Sequence, residues 1–275
     1  MSIVIRTNMA SINGARHLNR AGKSNHQTTE RMSSGLRINR AADDAANSAV
    51  TTNLEVTSRG AKQAMRNIND AFSVLNIAEE ATNTAANSVK RMRELAVMSA
   101  SETLSSTERQ YAQAEYEGLV ETVDDLANIT QFNGKQLIDG NTPTLSIQAG
   151  GNNTADDRVT MTMGDISTMT IGVDTGNIDI STATGARDAI DKLDTALDTL
   201  NSYRSTYGGT SRRLSSALTS QELYAEEMES AESRLLDADF AHESSELSRS
   251  SIMMQAGTSI LAQGSQLTQG VLSLL

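Results

Sequence analysis

The stretch that decides the fold is residues 253–275, MMQAGTSILAQGSQLTQGVLSLL. Apolar and small side chains recur along it in alternating steps of four and three, the spacing of one helix face in a coiled coil. Glycines on such a seam let a partner helix approach closely, and an apolar helix end would be exposed in a monomer. The pattern therefore predicts a helix that is buried in an assembly. Its seam residues are Met253, Gly257, Ile260, Gly264, Leu267, Val271 and Leu274.

The opposite end of the chain carries a thinner apolar stripe among polar residues, within residues 8–34. Its spacing also indicates a helix, and Gly35 stands where a helix often ends in a left-handed turn. We expect the two terminal helices to bury their seams against each other and against neighbouring copies. The stripe consists of Met9, Ile12, Leu18 and Met32.

Long helices are predicted between these ends. Residues 44–99 would form one of them, on the order of 80 Å long at about 1.5 Å per residue, and residues 108–129 a second. A short turn joins the two, so that they form an antiparallel hairpin. Helical spacing resumes at residues 185–235. The predicted fold class is mainly α: a long antiparallel helical bundle or coiled coil formed by both chain ends, with a small β-hairpin region in the middle.

The predicted β region covers residues 140–184. Residues 145–148 and 159–163 alternate apolar and polar side chains, as half-buried strands do. Glycine-containing turn signals lie at 139–140 and 150–151. The rest is rich in Ser, Thr, Asp and Gly, and we expect a low-complexity loop there.

The composition excludes several classes of protein. The net charge of −11 argues against nucleic-acid binding, which needs a basic face for the phosphates. No stretch approaches the roughly 18 apolar residues of a membrane span, so no membrane insertion is expected. Cysteine is absent, which excludes disulfides and thiolate metal sites. The N-terminal segment also lacks an apolar run of signal-peptide length.

Residues that could carry chemistry are few. His17, His26 and His242 are not at metal-ligand spacing, so no metal or other cofactor is expected. The acidic pairs at 43–44 and 237–239 are best interpreted as charges at helix starts or on solvated connectors. There is no glycine-rich phosphate loop and no serine–histidine arrangement, so the chain is not predicted to be an enzyme.

Short motifs at both ends resemble those of a known family, the bacterial flagellins. The resemblance covers residues 1–140 and 185–275, with the motifs in the same order. The N-terminal motifs are RMSSGLRIN at 31–39, ADDAA at 42–46, RELAV at 93–97 and QFNG at 131–134. The C-terminal motifs are SRLLDAD at 233–239, QAG at 255–257 and VLSLL at 271–275.

This resemblance implies a subunit that polymerises into the bacterial flagellar filament for swimming. Residues 1–42 and 236–275 would form an inner coiled-coil domain, and residues 43–235 an outer helical domain that carries the β-hairpin. The chain would be exported unfolded by the flagellar type III apparatus and would be extracellular in the filament. Its partners would be other copies of itself, an export chaperone, the filament cap and the hook-junction proteins.

The resemblance also implies a contact for host innate immune receptors. Arg91 and Leu95, with Glu115 on the next helix, match the contact motif that the animal receptor recognises. With these side chains on adjacent helices, we expect an arginine and a leucine beside an acidic residue to form a binding hot spot, a kind of site in which Arg is enriched. The alternative is that these three residues stabilise packing between subunits.

Two other functions fit parts of the sequence. A hook–filament junction protein shares both terminal patterns, but the long run of matched motifs favours the filament subunit. A coiled-coil adaptor outside the flagellum would explain the helices but not the paired motifs at the two ends.

Overall fold

A computed structural model describes the backbone of residues 9–272 and the side chains of this range except those of residues 10, 265 and 267–272. This part of the chain contains six helices and four short strands, which confirms the predicted fold class. The helices are α1 (Met9–Ser34), α2 (Ala45–Ser99), α3 (Ser106–Ile129), α4 (Thr168–Ile171), α5 (Ala183–Leu236) and α6 (Phe240–Leu272). The strands are β1 (Gln131–Phe132), β2 (Lys135–Gln136), β3 (Thr144–Gln148) and β4 (Arg158–Thr162).

The chain divides into two compact units. Unit 1 comprises Met1–Thr57 and Glu226–Leu275, and unit 2 comprises Ser58–Ala225. The division into an inner domain, 1–42 with 236–275, and an outer domain, 43–235, stays a prediction about the assembled state.

Unit 1 contains the pairing of the two terminal helices. α1 ends as its sequence predicts: Gly35 has a φ of 73°, and its N–H donates to the carbonyl of Arg31 at 2.8 Å. α6 then runs back along α1 in the opposite direction. Added Cβ atoms at Gly14 and Gly257 would lie 3.1 Å from a methyl carbon of Leu261 and 3.3 Å from one of Leu18, respectively. The two backbones are therefore close together at both glycines.

Unit 2 is built around a helical core with few aromatic side chains. Apolar residues recur along each long helix in alternating steps of three and four, so one face of each helix is buried in this core. Ala, Val, Leu and Met supply most of the buried surface, and Tyr116 and Tyr207 are the largest fully buried side chains. Other fully buried positions are Ile68, Leu75, Val89, Met92, Val123, Leu193, Leu200 and Leu214.

The middle of unit 2 differs from the sequence prediction. β3 and β4 pair antiparallel from Thr144↔Thr162 to Gln148↔Arg158, as expected for the predicted hairpin. β1 and β2 form a second, smaller hairpin whose turn residues Asn133 and Gly134 both have positive φ. Residues 163–182, which we expected to be a low-complexity loop, form a packed segment that we call the strap.

The strap is held in place by apolar burial and by three polar anchors. Its aliphatic side chains at 166, 171, 173, 178 and 180 are all buried in the core of unit 2. The Tyr116 hydroxyl donates to the carbonyl of Val173 at 2.8 Å, and the Tyr207 hydroxyl accepts the N–H of Gly164 at 2.9 Å. The carboxylate of Asp124 accepts both the N–H and the hydroxyl of Thr168. Burial also raises the pKa of both tyrosines.

Candidate assembly surface

The seam between α1 and α6 keeps one register along its length. The contacts Ser11–Gly264, Gly14–Leu261, Leu18–Gly257 and Gly22–Met254 follow one another without a slip. Large side chains on each helix lie over small residues on the other, which is the arrangement that allows close helix approach. Gly257 and Gly264 thus lie in this contact between α1 and α6, and their role in assembly stays a prediction.

Polar side chains specify this register. The side-chain amide of Asn25 donates to the hydroxyls of Ser250 and Ser251, each at 3.1 Å. Nearer the end of α1, Nη1 of Arg31 lies 3.2 Å from Oε1 of Glu243, whose side chain is only 6% exposed. A helix pair slipped out of register would leave these groups buried without partners, which costs free energy.

These polar contacts were not among the sequence predictions. The signal was available, because residues 18, 21, 25, 28 and 32 continue one helical face. Polar residues at 25 and 28 interrupt the apolar character of that face.

The segments that follow α1 and precede α6 also pair with each other. The N–H of Arg37 donates to the carbonyl of Leu236 at 2.6 Å, and the N–H of Ala238 donates to that of Gly35 at 2.9 Å. The guanidinium of Arg37 donates to the carbonyl of Leu235 at 2.7 Å. Two of the sequence motifs, at 31–39 and 233–239, therefore meet in space.

Carboxylates cap the helices that start here, as predicted. Asp44 accepts the N–H of Asn47 at 3.0 Å, and this hydrogen bond lowers the pKa of Asp44. Asp239 accepts the N–H groups of Ala241 and His242 at the start of α6. Within residues 9–272, no group of acidic or histidine side chains is arranged to hold a metal ion. None of the described helices has the combination of length and apolar composition that a membrane span requires.

α6 has a second apolar face that α1 does not cover. Ile252, Met253 and Ile260 remain 65%, 42% and 61% exposed. Successive residues of a helix are about 100° apart, so Met253 and Ile260 lie beside the α1-facing residues Met254 and Leu261 rather than on their face. We call Ile252, Met253, Ala256 and Ile260 the outer strip.

The outer strip borders a groove of about 630 Å³, which we call the α6 groove. The α6 side of this groove is apolar. The α1 side contributes polar and basic groups, including Asn13, His17 and Arg20, above the apolar Leu18 and Ala21.

The predicted seam residues therefore fall on two faces. Leu18, Gly257 and Gly264 take part in the α1–α6 contact, and Met32 is half-buried. Met9, Ile12, Met253 and Ile260 are exposed. The side chains of Leu267 and Val271, and all of Leu274, lie outside the described residues.

The three predicted receptor-contact residues are placed differently from one another. Arg91 is exposed and bridges Glu94 at 2.9 Å and Glu115 at 2.7 Å. Its hydrogen bonds to Glu94 and Glu115 raise the pKa of Arg91. Leu95 is only 2% exposed and belongs to the core of unit 2. The surface of this conformation thus presents Arg91 and Glu115 but not the side chain of Leu95.

Models of known protein families match both ends of the chain. Residues 5–142 match the model of the bacterial flagellin N-terminal helical region, and residues 190–275 match the bacterial flagellin C-terminal helical region. The chain belongs to the bacterial flagellin family. A flagellin of Halalkalibacterium halodurans is 34% identical over 99% of this chain and 100% of its own length. A flagellar filament 33 kDa core protein of Treponema phagedenis is also 34% identical, over 99% of this chain and 100% of its own length.

A solved structure is similar in fold at lower identity. A putative flagellar hook-associated protein from Vibrio parahaemolyticus is 14% identical, with a TM-score of 0.59 over 71% of this chain and 100% of that chain. This likeness shows a shared fold and does not favour a junction role.

Membership in the flagellin family confirms the main functional prediction. The protein is a structural subunit of the flagellar filament and not an enzyme. Flagellins polymerise with copies of themselves, and the filament that they form is extracellular.

Proposed function

We propose that copies of this chain join one another in the filament through the α6 groove and its outer strip. The observation that carries the proposal is that α6 has two apolar faces, of which α1 covers one. A helix that is apolar on several sides is stable in water only if those sides are buried. Complete burial of a Met or Ile side chain contributes about 1.5–3 kcal/mol, so the outer strip offers several kcal/mol to an assembly contact.

Charge supports a second copy as the occupant. α1 carries Arg16, Arg20, Lys23 and Arg31 but only one carboxylate, Glu30, whereas the whole chain has a net charge of −11. Within the described residues, Arg16 and Arg20 have no ion-pair partner. Of these cations, Arg20 lines the groove, so the acidic surface of another copy is complementary to the charge on its α1 side, and such complementarity favours association and fixes orientation.

A charge placed in the outer strip tests this proposal. We expect Ile260→Asp in the full chain to raise the critical concentration for seeded polymerisation at least ~100-fold, because the contact would lose a large apolar side chain and would have to bury a charged carboxylate in its place. Light scattering measures the critical concentration, and electron microscopy verifies filaments. Met169→Asp is the matched control, since Met169 is 81% exposed on α4 in unit 2.

Polymerisation of Ile260→Asp at the wild-type critical concentration would reject the α6 groove as an assembly contact.

A chain ending at residue 235 tests the wider proposal that residues 1–42 and 236–275 form an inner domain. It should remain soluble and helical by circular dichroism but should not form filaments.

We also propose the export route and the finer set of partners that the resemblance implies. The chain would leave the cell unfolded through the flagellar type III apparatus, and an export chaperone would cover the exposed α6 surface before assembly. Filament cap and hook-junction proteins would contact the same paired ends. Ile260→Asp is therefore expected to weaken chaperone binding in calorimetric titration, and unchanged affinity would place the chaperone elsewhere.

A host receptor contact is the last part of the proposal, and it concerns Arg91 and Glu115. The exposed ion pair between them supports a polar hot spot on neighbouring helices. We expect Arg91→Ala and Glu115→Ala each to weaken activation of a receptor reporter by monomer about tenfold or more. Arg187→Ala is the matched control, because Arg187 also forms an exposed ion pair, with Glu102 at 3.2 Å. Absence of a response to the wild-type monomer, or equal responses to all variants, would contradict the contact.

A further inference from the structure

Met253 combines chemical accessibility with a position in the apolar part of the α6 groove. The residue is 42% exposed, and the groove is otherwise lined on the α6 side by Ala256, Gly257 and Ile260. The neighbouring Met254 faces α1, with its sulfur 4.0 Å from the position of an added Cβ on Gly22. Met92, Met161 and Met163 are buried in unit 2. Met253 is therefore a methionine that an oxidant can reach and that has an apolar contact to lose.

We infer that Met253 is a redox-sensitive modification site whose oxidation weakens the addition of a free subunit to the filament. The inference rests on the proposed role of the α6 groove. Hydrogen peroxide would supply the oxidant: its O–O bond breaks, one oxygen bonds to the thioether sulfur, and the other leaves as water. The product, methionine sulfoxide, is polar and chiral, whereas the thioether is apolar and flexible.

The physical effect follows from where the sulfoxide oxygen would be. In a free subunit it faces water at no cost. In an assembled contact it would be buried on the α6 side of the groove beside Ala256 and Ile260, whose side chains donate no hydrogen bond, and burial of an unsatisfied polar group is unfavourable. The basic groups on the α1 side would be taken by the acidic surface of the neighbouring copy in the proposed contact. An assembled neighbour would in turn shield the sulfur from peroxide. Oxidation would thus act on subunits before assembly, and reduction by a methionine sulfoxide reductase would reverse it.

The test uses full-length protein that carries Met9→Leu, because Met9 is 58% exposed on α1 and would otherwise also be oxidised. Monomer is treated with hydrogen peroxide, peptide mass spectrometry measures sulfoxide at each methionine, and seeded polymerisation gives the critical concentration. We expect full oxidation of Met253 to raise that concentration about tenfold or more, since a tenfold change needs only ~1.4 kcal/mol. Reductase treatment should restore the original value.

Two variants assign the effect to one residue. Met253→Leu, which keeps volume and apolar character, should polymerise normally and be resistant to peroxide. Met169→Leu should remain as sensitive as its parent, although Met169 is more exposed. In preformed filaments, oxidation at Met253 should be slower than at Met169.

Specific outcomes would overturn the inference. Unchanged polymerisation of protein with Met253 fully converted to sulfoxide would do so, and so would peroxide sensitivity that persists in Met253→Leu. If Ile260→Asp fails to polymerise while the sulfoxide form polymerises normally, only the redox inference fails. If Ile260→Asp polymerises normally, the proposed function fails as well.

Discussion

Arg31→Ala is expected to destabilise the α1–α6 pair by about 3 kcal/mol. The substitution leaves the carboxylate of Glu243, which is 6% exposed, without the guanidinium that lies 3.2 Å away. Loss of one partner from a buried ion pair is costly because the other charge remains desolvated. The guanidinium makes only this one contact, since Nε of Arg31 has no hydrogen-bond partner among the described residues. We therefore expect a loss of stability at the lower end of the range of about 3–5 kcal/mol that breaking a buried ion pair costs. Amide hydrogen exchange along α6 measures the free energy of opening.

Arg40→Ala is the matched control for this measurement. Arg40 pairs with Glu30 at 2.7 Å, but its side chain is 67% exposed, and exposed pairs contribute less than about 1 kcal/mol. The double variant Arg31→Met/Glu243→Leu removes both charges and should recover most of the stability that Arg31→Ala loses. Equal exchange rates in Arg31→Ala and Arg40→Ala would contradict a buried pair that stabilises the seam.

Tyr207→Ala is expected to lower the free energy of unfolding of unit 2 by about 4 kcal/mol. The aromatic ring is fully buried, so its removal leaves a cavity in the core. The hydroxyl also accepts the N–H of Gly164, which would be left buried without an acceptor. Urea denaturation of the full chain, followed by circular dichroism, measures the change.

Two further tyrosine variants separate the contributions. Tyr207→Phe keeps the ring and should cost only about 1–2 kcal/mol, the value of a buried hydrogen bond whose donor is left unpaired. Tyr111→Ala removes a ring that is 73% exposed and should change stability by less than ~0.5 kcal/mol. The strap would not depend on this anchor if Tyr207→Ala were as stable as Tyr111→Ala.

The long helices could be predicted from sequence because their signals are local. Periodic apolar positions, the capping carboxylate of Asp44 and the left-handed turn at Gly35 all act within a few residues of the structure that they specify. The predicted ranges 44–99 and 185–235 consequently lie within two residues of α2 and α5.

The strap could not be predicted in the same way. Its buried aliphatic side chains, such as Ile166 and Ile180, follow neither a helical nor a strand period, and they are surrounded by Ser, Thr, Asp and Gly. Its anchors are Tyr116, Asp124 and Tyr207, which are distant along the chain. Such contacts exist only after the helices have packed, so no local sequence pattern in the strap predicts them.

The sequence by itself determined the helical ends of this protein, because heptad spacing of apolar residues is a local signal. It also determined the place of the chain among the flagellins, because the family motifs occur in order along it. Only the tertiary structure decided which face of α6 pairs with α1. Steps of four and three can be drawn through residues 253, 257, 260 and 264 or through 254, 257, 261 and 264, and both patterns are apolar enough to form a seam. Packing selects the second, because Met254 and Leu261 lie over glycines of α1 and Glu243 meets Arg31 in the same register. The first pattern, with Met253 and Ile260, therefore remains exposed in the subunit.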